Sequence, residues 1–135
     1  MNNLISPELF YLVLTAGLTG TLWLAYIVNR ILEQGIWATF KTPNLDHPPQ
    51  ENWAYRMMCA HRNAVENLVV FTALVLAVQL SQTNNEMTAM ATMIFFYARL
   101  IHAVTYTMGI PVFRTLAFLM GFVCQAVLFF QFIAS

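Results

Sequence analysis

The strongest constraint on this chain is the polar segment R-M-M-C-A-H-R-N-A-V-E-N at residues 56–67, which directly precedes the apolar run 68–80. A helix that crosses a bilayer needs about 20 residues, since each residue adds about 1.5 Å along the helix axis. The apolar run alone is too short for that, so the polar segment must lie partly at membrane depth. Ionisable side chains at that depth usually face the interior of a helix bundle, where they mark a functional site.

The composition assigns the chain to the integral membrane proteins. Of its 135 residues, 59% are hydrophobic and 9% are charged, which is too apolar for a soluble domain of this size. Basic and acidic residues balance at six each, so nothing in the charge indicates a nucleic-acid partner. We predict one all-α domain over residues 1–135, a four-transmembrane-helix bundle with helices at about 8–32, 52–80, 86–108 and 111–134.

Local signals place the ends of these helices. Ser6 can cap the first helix, with Pro7 at its first position, and Asn85 can cap the third. Gly109 and Pro111 separate the third helix from the fourth. No basic segment precedes the first span and no small-residue cleavage pattern follows it, so we expect a retained helix rather than a signal peptide.

The connection at residues 33–51 is the only long polar one, and its prolines disfavour helix at several points, which predicts a loop over one membrane face. Asp46, His47 and Glu51 lie close together in this loop. No second cluster of ligands accompanies them, so no metal site is expected there. The two cysteines lie inside predicted helices without metal-type spacing, so neither a zinc site nor a disulfide framework is expected.

The basic residues predict the orientation of the chain in the membrane. Five of the six lie at or near the helix ends that meet the first and third connections, namely Arg30, Lys41, Arg56, Arg62 and Arg114. Arg99 lies in the half of the third helix nearest that side, and the opposite face has none. By the positive-inside rule, these connections face the cytoplasm and both termini lie on the other side. Every candidate functional group then lies on the cytoplasmic side.

Helical spacing gathers polar residues on one face of the second helix and on one face of the third. The first face carries Arg56, Cys59, Asn63 and Glu66, with Arg62 beside it, and the second carries Arg99, His102 and Tyr106. We expect the two faces to meet in one cleft. An ion-pair network in which Glu66 neutralises Arg99 or Arg62 explains part of the pattern. One glutamate cannot neutralise all the arginines, so the surplus positive charge favours a small anionic ligand.

Two other classes of function remain open from the residues alone. His61 and His102 on adjacent helices would suit a bis-histidine haem, although Arg62 and Asn63 leave little apolar room for a porphyrin. A membrane-embedded Glu66 would suit a small transporter, although the surrounding arginines hinder its carboxylate from titrating freely.

The sequence resembles the membrane-associated proteins in eicosanoid and glutathione metabolism, the MAPEG family. The resemblance rests on the segment at 56–67, on A-R-L-I-H-A-V-T-Y at 98–106 and on G-I-P-V-F-R at 109–114, in that order within a four-helix frame. The H-R-N-x-x-E pattern in the first of them is the most specific. With E-N-L-V-V-F at its end, the chain looks most similar to the bacterial branch and to microsomal glutathione transferases.

The resemblance implies a homotrimer in a bacterial inner membrane, with glutathione sites between subunits that open toward the cytoplasm. It implies a transferase or peroxidase that uses glutathione as co-substrate, needs no metal, and acts on lipophilic electrophiles from the bilayer. Matched positions imply that glutathione is held by Arg62, Asn63, Glu66, His102 and Tyr106, with Arg30 as a looser match. Arg99, which shares the face of His102, completes the expected binding set.

Arg114 matches the family's arginine near the glutathione sulfur, so the resemblance implies that it is the catalytic residue. Its predicted position in the first turn of the fourth helix suits this catalytic role on physical grounds. A guanidinium group and the unpaired backbone N–H groups of a helix N-terminus can together stabilise a thiolate, which is the reactive form of a thiol.

Two positions depart from the family's pattern. Cys59 stands where the eicosanoid enzymes have an arginine, and Phe118 stands about where several members have a tyrosine near the thiol. Both changes remove polar groups from the expected site. Weak chemistry, or a glutathione-binding protein without catalysis, is therefore the alternative expectation.

Overall fold

The computed structural model describes residues 5–42, 49 and 51–135, and the elements it assigns to them are all helices. The α-helices are α1 (Pro7–Thr21), α2 (Trp23–Gln34), α3 (Asn52–Leu80), α4 (Glu86–Met108) and α5 (Pro111–Ile133). Among the described residues, four segments are long and apolar enough to cross a membrane, namely Pro7–Gln34, which joins α1 and α2, and the helices α3, α4 and α5. The predicted all-α class with four spans is therefore confirmed.

The first span differs from the prediction of one helix over 8–32. The structure divides it at Leu22, whose N–H donates to the Thr19 carbonyl oxygen at 3.4 Å instead of reaching one residue further back. The stretch G-L-T-G-T at 17–21 precedes this point, and glycine and threonine are weak helix formers. The low local propensity explains why the helical hydrogen bonding is interrupted there.

The connection at 33–51 contains a short 3₁₀ helix at Ile36–Phe40, which was not predicted from the sequence. This helix starts after Gly35, which has a φ of 82° that favours glycine. Asp46 and His47, the residues considered for a metal site, lie outside the described residues. The 3₁₀ helix ends before Pro43, the first proline of the connection, so it lies outside the points at which the prolines disfavour helix.

The predicted helix caps are present. Ser6 Oγ accepts a hydrogen bond from the Leu9 N–H at 3.3 Å. Asn85 Oδ1 accepts from the Thr88 N–H at 3.0 Å, and Thr88 Oγ1 accepts from the Asn85 N–H at 2.9 Å. This reciprocal pair satisfies backbone donors that the first turn of α4 would otherwise leave unpaired.

The turn between α4 and α5 is held by an arginine of α3. Gly109 ends α4 with a φ of 76°, and a Cβ atom at this position would lie 3.2 Å from Arg56 Cζ. Arg56 Nε donates to the Thr107 carbonyl oxygen at 2.9 Å, so its charge lies at the negative end of α4. Pro111 then begins α5. Arg56 therefore has a structural partner at the end of α4.

The apolar core surrounds α4, which packs against α1, α3 and α5. Phe71 on α3 and Phe95 on α4 stack with ring centroids 3.8 Å apart. Other buried members of this cluster are Leu12, Val75, Val78, Ala91, Cys124 and Leu128. The core lies toward the end of the bundle that holds the start of α4, which leaves the other end of α4 for polar side chains.

A buried acid joins α1 to α4 at the core end. Glu8 is 1% exposed, and its Oε1 accepts a hydrogen bond from Thr88 Oγ1 at 2.6 Å. Its Oε2 is buried and has no hydrogen-bond partner among the described residues. The first turns of two helices, where backbone N–H groups point outward, meet around this carboxyl group. Thr88 is thus the direct partner of the most buried carboxyl group described.

Replacing Thr88 with valine should destabilise the protein, because the buried Glu8 carboxyl group would lose its side-chain donor among the described residues and the Asn85 N–H would lose its acceptor. We expect a loss of about 1–3 kcal/mol, the usual penalty for an unsatisfied buried polar group. Thr92→Val is the matched control, since Thr92 is equally buried on α4 but donates only to the Ala89 carbonyl oxygen of its own helix. Thermal unfolding in detergent measures both variants, and equal losses would contradict the role of Thr88.

Candidate functional site

A polar cavity of about 280 Å³ lies where α3, α4 and α5 meet, close to the turn between α4 and α5. Its lining residues are Asn63, His102, Tyr106, Arg114, Thr115 and Phe118. The sequence predicted the first four as site residues. Thr115 was missed, although it directly follows Arg114, because a threonine in a helix carries no distinguishing pattern.

The α4–α5 turn brings Arg114 to Tyr106. Arg114 lies in the first turn of α5 and Tyr106 in the last turn of α4, and the short turn between these helices folds one against the other. The guanidinium carbon of Arg114 lies 4.7 Å from the centre of the Tyr106 ring. A cation over an aromatic face is attracted by the ring, so this contact holds Arg114 at the cavity.

The cationic centre behind the cavity is Arg99, which is 3% exposed. Its Nη2 donates to Asn63 Oδ1 on α3 at 2.6 Å and lies 3.3 Å from His102 Nδ1, one turn further along α4. Its Nε and Nη1 are buried and have no hydrogen-bond partner among the described residues. The predicted meeting of the two polar faces is thus confirmed at Asn63 and Arg99.

A second chain of hydrogen bonds supports Asn63. Asn67 Nδ2 donates to the Asn63 carbonyl oxygen at 2.9 Å, and Gln125 Nε2 on α5 donates to the Asn67 carbonyl oxygen at 3.1 Å. These bonds tie α5 to the turn of α3 that carries Asn63. The side-chain amide of Asn63 is therefore held by Arg99 of α4, while Gln125 fixes the backbone of α3 one turn away.

The structure does not bring every predicted site residue to this cavity. Arg62 and Glu66 lie one turn apart on the exposed side of α3. Arg30 lies on α2, which packs against α3 and the 3₁₀ helix, and it does not line the cavity. The ion-pair alternative is also wrong for Arg99, whose described partners are Asn63 and His102 rather than Glu66.

The two histidines considered for haem have different surroundings. His61 Nδ1 lies 2.8 Å from the Tyr26 hydroxyl group on α2. His102 lines the polar cavity, whose lining does not include His61. In the part of the chain that the structure describes, no group of three or more His, Cys, Asp or Glu side chains is placed to hold a metal ion.

The chemistry of the cavity favours an anion. Among the described residues, its lining combines a guanidinium group, an imidazole, an amide and two hydroxyl groups, and it includes no carboxylate. The N–H groups of this set donate to carboxylates and thiolates, whereas the charge of Arg114 repels a cation. The adjoining Phe118 ring lies 6.2 Å from the His102 ring and gives the cavity one apolar wall.

Comparison with known proteins adds one finding. The model of the MAPEG family matches residues 9–134, which is nearly the whole chain. No curated protein and no solved structure matched the chain.

Proposed function

Because this chain belongs to the MAPEG family, we propose that it is a membrane-bound transferase or peroxidase that uses glutathione on lipophilic electrophiles. The family carries a glutathione-related or eicosanoid-related membrane function in general. The observation that carries the finer proposal is the placement of Arg114 in the first turn of α5, at the edge of a polar cavity whose described lining has no carboxylate.

Arg114 supplies the chemistry in this proposal. A free thiol loses its proton near pH 8.5, and only the thiolate attacks well, so the protein must stabilise negative sulfur at neutral pH. The guanidinium group and the free N–H groups at the start of α5 act on the same anion. In conjugation the thiolate forms a bond to an electrophilic carbon. In a substitution the displaced electron pair departs with the leaving group, and in an addition it takes up a proton. In peroxide reduction the thiolate attacks an oxygen and releases an alcohol, and a second glutathione converts the sulfenic acid to disulfide and water.

The rest of the glutathione molecule is held, in our proposal, by side chains that one copy of the chain leaves open. Arg62 and Glu66 are exposed on α3 at membrane depth, where contact with lipid would be costly. A neighbouring copy that covers them would place Glu66 near the glutathione amino group and the arginines near its carboxylates. We therefore propose a homotrimer with its sites between subunits, and Arg30 as a contributor from α2.

The membrane supplies the second substrate in this proposal. An electrophile dissolved in the bilayer reaches the site through apolar surfaces between subunits, with Phe118 as one wall near the reacting sulfur. We propose a bacterial inner membrane as the location. The connection after α2 and the α4–α5 turn then face the cytoplasm, where the positive-inside rule puts Arg56 and Arg114.

Titration calorimetry with glutathione tests the proposal directly. The detergent-solubilised protein should bind glutathione saturably, and Tyr106→Phe should weaken binding roughly tenfold through loss of one hydroxyl contact. Tyr97→Phe is the matched control, because Tyr97 lies on the same helix but lines a separate apolar pocket on the other side of the α4–α5 pair. Native mass spectrometry of the same sample should give three subunits.

The outcomes separate the alternatives. Absence of saturable binding would contradict the proposed function. Saturable binding without turnover of any lipophilic electrophile or peroxide would assign the chain as a glutathione-binding protein without catalysis. A monomer at binding-competent concentrations would contradict the intersubunit site.

A further inference from the structure

We infer that Arg99 is a positioning residue that orients the Asn63 amide and fixes the tautomer of His102, so that both present N–H donors to an anion in the cavity. This differs from direct binding of glutathione by Arg99, because Arg99 lies behind the cavity and is not among its lining residues. The identity of the anion rests on the proposed function. The orientation of the two side chains does not.

The hydrogen-bonding capacity of Arg99 restricts which atoms can lie beside its guanidinium group. A guanidinium group has five N–H donors and no acceptor. The group that Arg99 Nη2 meets at 2.6 Å must therefore be the oxygen of the Asn63 amide, Oδ1. This fixes the NH₂ of Asn63 on the other side of the amide, where it has no hydrogen-bond partner among the described residues and remains free to donate.

The same constraint applies to His102. Its Nδ1 lies 3.3 Å from Arg99 Nη2, so Nδ1 must accept and cannot carry a proton. A neutral imidazole with an unprotonated Nδ1 carries its proton on Nε2. His102 therefore offers an N–H donor from Nε2, which the described residues leave unpaired, to a molecule in the cavity that it lines.

The result is a cavity whose nitrogen-bearing side chains all act as donors. N–H groups are presented by Asn63, His102 and Arg114. The buried guanidinium group of Arg99 fixes the orientation of the Asn63 amide and the tautomer of His102. An ammonium group would find no acceptor among these nitrogens, whereas a thiolate or carboxylate matches them. In the proposed glutathione complex, an anionic end of the tripeptide lies here and its amino group lies elsewhere, toward Glu66.

Nitrogen NMR of the full chain in detergent micelles tests the inference without a ligand. The chain has three histidines, and loss of one signal in His102→Gln identifies the His102 ring in ¹⁵N-histidine spectra. We expect His102 with its proton on Nε2 and with Nδ1 at the frequency of a hydrogen-bonded acceptor. In Arg99→Met the Nδ1 signal should move to that of an unbonded nitrogen, and in Lys41→Met, which removes an exposed cation outside the cavity, it should not move.

A His102 ring with its proton on Nδ1 in the wild-type protein would overturn the inference, and so would an Nδ1 signal unchanged in Arg99→Met. The wild-type spectrum decides the question even if Arg99→Met fails to fold. With glutathione as the probe, Arg99→Met should raise Kd about tenfold, and Arg99→Lys should recover part of that loss. An unchanged Kd in Arg99→Met would count against a positioning role. If the wild-type protein binds no glutathione, the proposed function fails while the spectra still decide the role of Arg99.

Discussion

Replacing Arg114 with alanine should lower the turnover of glutathione with a lipophilic electrophile by about 100-fold to 1,000-fold, the usual effect of removing one preorganised group that stabilises a developing anion. The expected loss of turnover follows from the surroundings of Arg114. Of the residues that the structure describes, Arg114 alone brings a positive charge to the cavity lining, and its guanidinium carbon lies 4.7 Å from the centre of the Tyr106 ring. Without it the backbone N–H groups at the start of α5 would act on the sulfur alone.

Two measurements separate the chemistry from binding. The ultraviolet absorption band of the thiolate should appear when glutathione is added to the wild-type protein and should disappear in Arg114→Ala. Arg114→Lys keeps a positive charge but lacks the planar fork of donors. Its thiolate band should therefore be weaker than that of the wild-type protein and stronger than that of Arg114→Ala. Lys41→Ala is the control for loss of a basic side chain, because Lys41 is exposed just after the 3₁₀ helix and does not line the cavity.

If Arg114→Ala retained both the thiolate band and full turnover, another group would have to stabilise the sulfur. The assignment of Arg114 as the catalytic residue would then be wrong, whereas the cavity could still bind glutathione. Unaltered thermal unfolding of Arg114→Ala is the check that a lost activity does not reflect a lost fold.

Replacing Glu66 with glutamine should weaken glutathione binding on the order of 100-fold, because a buried partner of a charged ligand group contributes several kcal/mol when it is fully desolvated. In one copy of the chain Glu66 is exposed. The large effect is therefore expected only if a neighbouring copy covers it. Glutamine keeps the shape of the side chain and removes its charge, so the loss reports on the ion pair with the glutathione amino group.

Calorimetry measures this prediction, and Glu86→Gln is the matched control. Glu86 is an equally exposed acid, but it lies in the first turn of α4 at the opposite end of that helix from Tyr106. A Glu66→Gln protein that binds glutathione as tightly as the wild-type protein would show that Glu66 does not contact the ligand. An effect of similar size in Glu86→Gln would point to overall charge rather than to the site.

Much of the fold was predictable because its signals are local. The apolar runs and the positions of Pro111 and Gly109 determine where helices lie, since a spanning segment must satisfy its own backbone hydrogen bonds within the hydrocarbon. The caps at Ser6 and Asn85 act over one turn and follow from residue type alone. The break at Leu22 was not predictable with the same rules. A run of weak helix formers lowers the stability of the helix over several residues, and it does not identify the residue at which the helical hydrogen bonds are interrupted.

The site was predictable as a set of residues and not as a set of contacts. Helical spacing correctly put Asn63 on the side of α3 that meets Arg99, and it correctly joined Arg99 to His102 on α4. It did not show that Arg99 would lie behind the cavity while Arg62 and Glu66 remained on the outside. By itself the sequence determined the class of protein, the spans and the excess of arginine at membrane depth. Only the tertiary structure decided which arginine meets which partner, because that depends on how far each helix is rotated about its axis, which the packing of all the helices sets together.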